Sequence, residues 1–185
     1  PVPPTRLDRM RTFMSTLPRR RFIAALAALP LAARARSNEP RVLAFNHLHT
    51  GERLELEYFS AGAYMPDALG AVNRLLRDFR TGDVGTIDPA LLDLLHTLRE
   101  RTGTHRPFQI ISGYRSPATN QMLHDRSSGV ATKSLHMSGQ AIDIRLADVP
   151  LVRLRDTALS LRVGGVGFYP GSDFVHVDTG RVRAW

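Results

Sequence analysis

Apolar residues recur at two different periods along this chain, and each change of period marks an element. In 53–59, Leu54, Leu56 and Tyr58 alternate with charged residues, the period-two pattern of a strand with one wet face. The stretch 41–48 reads as its partner, and His-Thr-Gly-Glu at 49–52 as the hairpin turn joining them. The period then lengthens. Ala68, Leu69, Val72, Leu75, Leu76 and Phe79 fall at helical spacing and predict a helix over 66–80. Asp88 before Pro89 supplies an N-cap and a first-turn residue, opening a second helix through Leu91, Leu92, Leu95 and Leu98. Beyond it, 108–112 reads as a strand, 116–126 as a capped helix, 141–146 as a strand and 151–162 as a helix. Two late strands, 164–169 and 173–178, are joined by the turn Pro170-Gly171-Ser172. Helices come early and most strands late, without regular βαβ alternation. The expected class is α+β: a small antiparallel sheet with helices packed on it.

The first 35 residues have a different texture. Arg19, Arg20 and Arg21 precede an apolar run of 12 residues, Phe22 to Ala33, and then the small-x-small site Ala33-Arg34-Ala35. A bilayer span needs ~20 apolar residues, so the run is too short for a membrane-crossing helix and reads as a signal peptide. The paired arginines followed by Arg21-Phe22-Ile23 resemble a twin-arginine export signal. A basic amphipathic anchor is the competing reading. The expected organisation is a leader over 1–35 and one globular domain over 36–185.

That division changes the meaning of the net charge, +8 over 185 residues. Seven arginines and one acid fall within 1–35, which leaves 18 basic and 16 acidic groups on the remainder. A nearly neutral domain lacks the basic face of a nucleic-acid binder. There are no cysteines, so disulfides, thiolate metal sites and cysteine nucleophiles are excluded. Any metal must be held by His, Asp or Glu.

Of the seven histidines, His96 and His124 fall in helical patterns and have ordinary structural explanations. His47 and His49 share a strand face as H-x-H, but no third ligand is placed for them. His136 and His176 keep different company. His136 enters a strand carrying Asp143, an acid flanked by Ile142 and Ile144, and His176 lies in Asp-Phe-Val-His-Val-Asp, 173–178. A buried ionised carboxylate costs several kcal/mol unless it is paired or bound to a cation. Two imidazoles and one carboxylate with a free fourth position match a hydrolytic zinc site; on spacing alone, a buried hydrogen-bonded pair explains His136 and Asp143 equally well.

The wording of the segment adds to this. Ser134, His136, Gly139, Ala141 and Asp143 spell S-x-H-x-x-G-x-A-x-D, which resembles the signature of the zinc D-Ala-D-Ala peptidases, a superfamily shared with lysostaphin-type peptidases and the hedgehog domain. Further likeness in Asn-His-Leu-His-Thr-Gly-Glu (46–52), 111–123, 164–170, 174–180 and Trp185 makes 40–185 most similar to MepK-type murein endopeptidases. The resemblance implies Zn2+ held by His136, Asp143 and His176, with Arg115 contacting substrate and developing negative charge. It implies an exported, periplasmic peptidase of peptidoglycan stem peptides or cross-links, active in cell-wall remodelling and expected to be monomeric. Alternatives are a D,D- or L,D-carboxypeptidase, or a zinc-containing cell-wall binding module without catalysis. The superfamily's general base is an acid three residues before the last histidine, here Asp173. Asp178 is the second acid within reach, and strand parity puts it, not Asp173, on the face of His176. Ser134 is either a hydrogen-bonding support for His136 or a local turn residue.

Overall fold

The computed structural model describes residues 38–126 and 131–185; the expected leader, 1–35, lies outside the described residues. Strands β1 (Arg41–His47) and β2 (Arg53–Ser60) form the predicted hairpin, extended by a short β3 (Ala63–Tyr64). Then follow β4 (Phe108–Ser112), β5 (Ala141–Arg145), β6 (Gly165–Tyr169), β7 (Phe174–Asp178) and a short β8 (Arg183–Ala184). All eight join one sheet in the order β3-β2-β1-β4-β5-β7-β6-β8. The α+β class holds, but the sheet is larger than expected and is mixed. β1 pairs with β4, and β6 with β8, in parallel. The added strands have two residues each, too short to show a period in the sequence.

Helices α1 (Pro66–Leu75), α2 (Pro89–Thr102), α3 (Pro117–Arg126) and α4 (Leu151–Leu161) lie near their predicted places, α3 behind its Ser116 cap, whose hydroxyl accepts from the Thr119 N–H, and the others by apolar spacing. α2 starts as expected, with Asp88 Oδ1 accepting from the Ala90 N–H. It buries Leu91, Leu92, Leu95 and Leu98 completely, each contributing roughly 1.5–3 kcal/mol. α1 ends five residues earlier than the pattern predicts, because Asp78 turns into the protein. Its Oδ2 accepts from both the N–H and the hydroxyl of Ser116, and the Leu76 carbonyl accepts from the Tyr114 N–H. The end of α1 thereby clamps the loop that carries Arg115.

Pleating sorts the two central strands. On β5, Ile142 and Ile144 enter the apolar core beneath α2 and α4; on β7, Val175 and Val177 do the same. Asp143, His176 and Asp178 therefore stand on the opposite face. Asp143 and His176 are direct cross-strand partners.

Candidate metal centre

Two of the three candidate ligands are thus placed by the β5–β7 ladder. The third comes from a short 3-10 turn, Leu135–Ser138, capped by Ser134, whose hydroxyl accepts from the His136 N–H. Gly139 ends the turn in the left-handed region (φ 67°), and its carbonyl accepts from the Asp88 N–H. A side chain has no room there: a Cβ would lie 2.0 Å from the Thr86 carbonyl oxygen. The glycine of the motif is what lets His136 fold back over the sheet.

His136 Nε2, His176 Nδ1 and Asp143 Oδ1 converge, with separations of 3.3, 3.3 and 2.9 Å. The opposite edge of each imidazole fixes its tautomer. His136 Nδ1–H donates to the Gly113 carbonyl at 2.7 Å, and His176 Nε2–H donates to Asp178 Oδ2 at 3.1 Å. Both inward nitrogens therefore present lone pairs beside a carboxylate oxygen, and three acceptors facing one point call for a cation. Tetrahedral zinc with ~2.0–2.1 Å bonds separates its ligands by about 3.3 Å, and a two-nitrogen, one-oxygen set suits zinc better than the oxygen-seeking calcium or magnesium. The residues fit such an ion. Among the described residues this is the one cluster with that arrangement.

Each ligand is buried, and the electrostatics follow from their mutual contacts. Burial works against the charge on Asp143, yet His136 and His176 outweigh it and hold its carboxyl well below the usual range. Burial opposes charge on His176 too, but Asp143 and Asp178 raise its pKa. Asp178 is fully buried and fully engaged: besides His176, it accepts from the N–H groups of Gly165 and Gly180 and from both terminal nitrogens of Arg183. A carboxylate behind an imidazole is the support that metal-ligating histidines use, and here it is closed behind by a bidentate arginine.

The site opens into a cleft of about 530 Å³, lined also by Arg115, Lys133, Tyr169 and Trp185. Arg115 is largely buried, with Nη2 3.8 Å from Asp143 Oδ2, and its backbone N–H donates to the His136 carbonyl. Burial lowers its pKa, partly countered by Asp143. Asp173 stands apart. It is exposed at the rim between the lining residues Ser172 and Phe174, adopts φ 55° and pairs with Arg145. The H-x-H pair lies in structural contacts of its own: His47 Nδ1 accepts from the N–H groups of His49 and Thr50, and His49 stacks on Phe79.

Residues 35–185 match the family model described as peptidoglycan L,D-endopeptidase MepK. The chain belongs to the MepK family. It is 46% identical over 162 residues to peptidoglycan L,D-endopeptidase MepK of Escherichia coli (strain K12), covering 88% of this chain and 89% of that one. It is 45% identical over 148 residues to a probable peptidoglycan L,D-endopeptidase MepK of Haemophilus influenzae, covering 80% of each. Within this MepK-family chain, motif reading missed Gly113, Arg183 and Asp78. Gly113 acts through a backbone carbonyl, which leaves no mark in the sequence. Arg183 carries a signal only as a charge just after the 174–180 segment, and Asp78 reaches Ser116 across 38 residues of sequence.

Proposed function

We propose that this protein is an exported zinc endopeptidase that hydrolyses amide bonds in peptidoglycan stem peptides or cross-links, with 1–35 as its export leader, 36–185 as its catalytic domain and the periplasm as its workplace. The carrying observation is the buried convergence of His136, Asp143 and His176 on one point of a cleft that also presents Arg115 and Lys133. Cationic side chains there suit stem peptides, which are rich in carboxylates. Likeness to proteins described as L,D-endopeptidases favours cleavage of an L,D bond. All three ligands come from one chain, so a monomer suffices.

A zinc ion held by His136 Nε2, His176 Nδ1 and Asp143 Oδ1 would supply a Lewis acid that brings water toward a pKa of ~7 and polarises the scissile carbonyl. Gly113 and Asp178 keep both imidazoles in the tautomers that leave those nitrogens free. Arg115, held by Leu76 and Asp78 on one side and His136 on the other, offers its guanidinium to the oxygen that becomes negative. Asp173 serves as general base: it takes the proton from the attacking water and returns it to the leaving nitrogen. Asp178 accepts five hydrogen bonds and has no capacity left for that task, whereas Asp173 is held only by an exposed ion pair. It is set free by a rotation away from Arg145.

Zinc-loaded protein incubated with isolated sacculi should release soluble fragments, and mass spectrometry of the products should place the new ends at an L,D bond. Protein that binds sacculi and leaves their fragment profile unchanged is a binding module, and the enzyme reading fails.

A further inference from the structure

Tyr169 closes β6 and Trp185 follows β8, and these strands lie side by side in parallel. Both rings consequently reach the wall of the cleft that holds the metal ligands. Trp185 is half exposed, yet it is held from four directions. Its carbonyl accepts from the Phe168 N–H at 3.0 Å, and its own N–H donates to the Val166 carbonyl at 3.2 Å. The indole packs so tightly on Gly167 that a Cβ there would come within 2.8 Å of it. The Arg183 guanidinium lies 4.8 Å from the ring centroid.

The indole N–H donates to the Tyr169 hydroxyl oxygen at 2.6 Å, while the Tyr169 ring stacks on Phe174 with centroids 4.6 Å apart. Indole nitrogen is a donor only, so the tyrosine oxygen must be the acceptor in this pair and keeps its own proton to give elsewhere. Among the described residues no acceptor takes that proton. Accepting one hydrogen bond also polarises a hydroxyl toward donating the next. Tyr169 and Arg115 line the same cleft, so the two donors face one space.

We propose that Tyr169 is a second donor, beside Arg115, to the substrate oxygen that gains negative charge during amide hydrolysis, and that Trp185 is the positioning residue that aims it. No bond to Tyr169 forms or breaks; its hydroxyl strengthens a hydrogen bond as charge develops. The proposal rests on the peptidase reading above.

Two conservative substitutions test it. Tyr169→Phe keeps the stack on Phe174 and removes the hydroxyl; Trp185→Phe keeps an aromatic wall and removes the indole N–H. Loss of one such donor lowers kcat by roughly 10²–10³-fold. Tyr169→Phe should do so with KM within about twofold, and Trp185→Phe should cost about tenfold. The double variant should be no slower than Tyr169→Phe alone, because Trp185 acts through the hydroxyl. Full kcat in Tyr169→Phe overturns the proposal, as does Trp185→Phe costing the same factor with and without the hydroxyl. Trp185 is the sole tryptophan, so its fluorescence gives a readout without variants or turnover. Metal-stripped wild-type protein titrated with disaccharide-peptide fragments should show a shifted emission; unchanged emission with fragments that the zinc-loaded protein cleaves also overturns it. Wild-type protein that neither cuts sacculi nor responds to fragments fails the peptidase reading itself, and this proposal with it.

Discussion

Replacing Asp178 by asparagine is a demanding test of how the site is held. The change is nearly isosteric, so it removes charge and acceptors without opening a cavity. Asp178 Oδ1 accepts from Gly165 N, Gly180 N and Arg183 Nη1 at 2.8, 2.9 and 3.1 Å; Oδ2 accepts from His176 Nε2 and Arg183 Nη2 at 3.1 and 2.7 Å. An amide has one acceptor oxygen, so either orientation turns an NH2 group toward at least two donors. Two charge-assisted hydrogen bonds at ~1.5–3 kcal/mol each, together with an arginine left without its counterion, put the cost at about 3–5 kcal/mol. Thermal unfolding of metal-free protein should therefore move down by about 10 °C. The other consequence is at the metal. His176 loses the partner that fixes its tautomer, and zinc affinity, measured by competition with a chromophoric chelator, should fall ~10–100-fold. An Asp178→Asn protein that melts within 2 °C of wild type and binds zinc equally well would refute the claim that Asp178 orients His176.

Asp173→Ala should do the reverse. It removes an exposed ion pair worth ~0–1 kcal/mol, so melting and zinc content should hold while kcat falls ~10²–10⁴-fold; unchanged turnover on sacculi removes Asp173 as base. Asp78→Asn probes the clamp on the Arg115 loop. Burial opposes the Asp78 charge, but bonds from Thr119 and Ser116 bring its pKa down to about 2 from an ordinary 3.8. Its folded pKa is the lower one, so the contribution of about 2 kcal/mol is present above pH 4 and lost as pH falls through about 2. Urea unfolding should show wild type losing that margin on acidification and Asp78→Asn lacking it already at pH 7. Gly139→Ala meets both a left-handed backbone and the Thr86 carbonyl, and should cost at least about 2 kcal/mol by urea unfolding and weaken zinc binding through His136.

How much of this was legible in sequence depends on how locally each residue acts. The hairpin, α2, α4 and both site strands follow from period, because an apolar stripe has one way to face a core; α3, whose buried residues are Thr119 and Asn120, is legible from its cap instead. α1 was overextended since Leu76 and Phe79 continue its spacing, while the pull of Asp78 toward Ser116 crosses 38 residues and shows in no window. The histidines and Asp143 were findable because a carboxylate between isoleucines is chemically conspicuous. Strand parity favoured Asp178 as the acid on the site face, and the structure puts it there. Parity said nothing of whether its lone pairs were already taken. The wall formed by Tyr169 and Trp185 depends on a two-residue parallel strand, which leaves no periodic trace.

The cross-strand pairing of Asp143 with His176 has a further consequence, for assembly. A slip of β7 by one residue against β5 would turn His176 and Asp178 into the core and bring Val175 and Val177 outward, parting His176 from Asp143. With the proposed zinc site, metal capture would work as proofreading: only a chain whose central ladder has closed in register would present the three ligands together, so zinc uptake during refolding should count correctly paired sheets rather than merely collapsed ones.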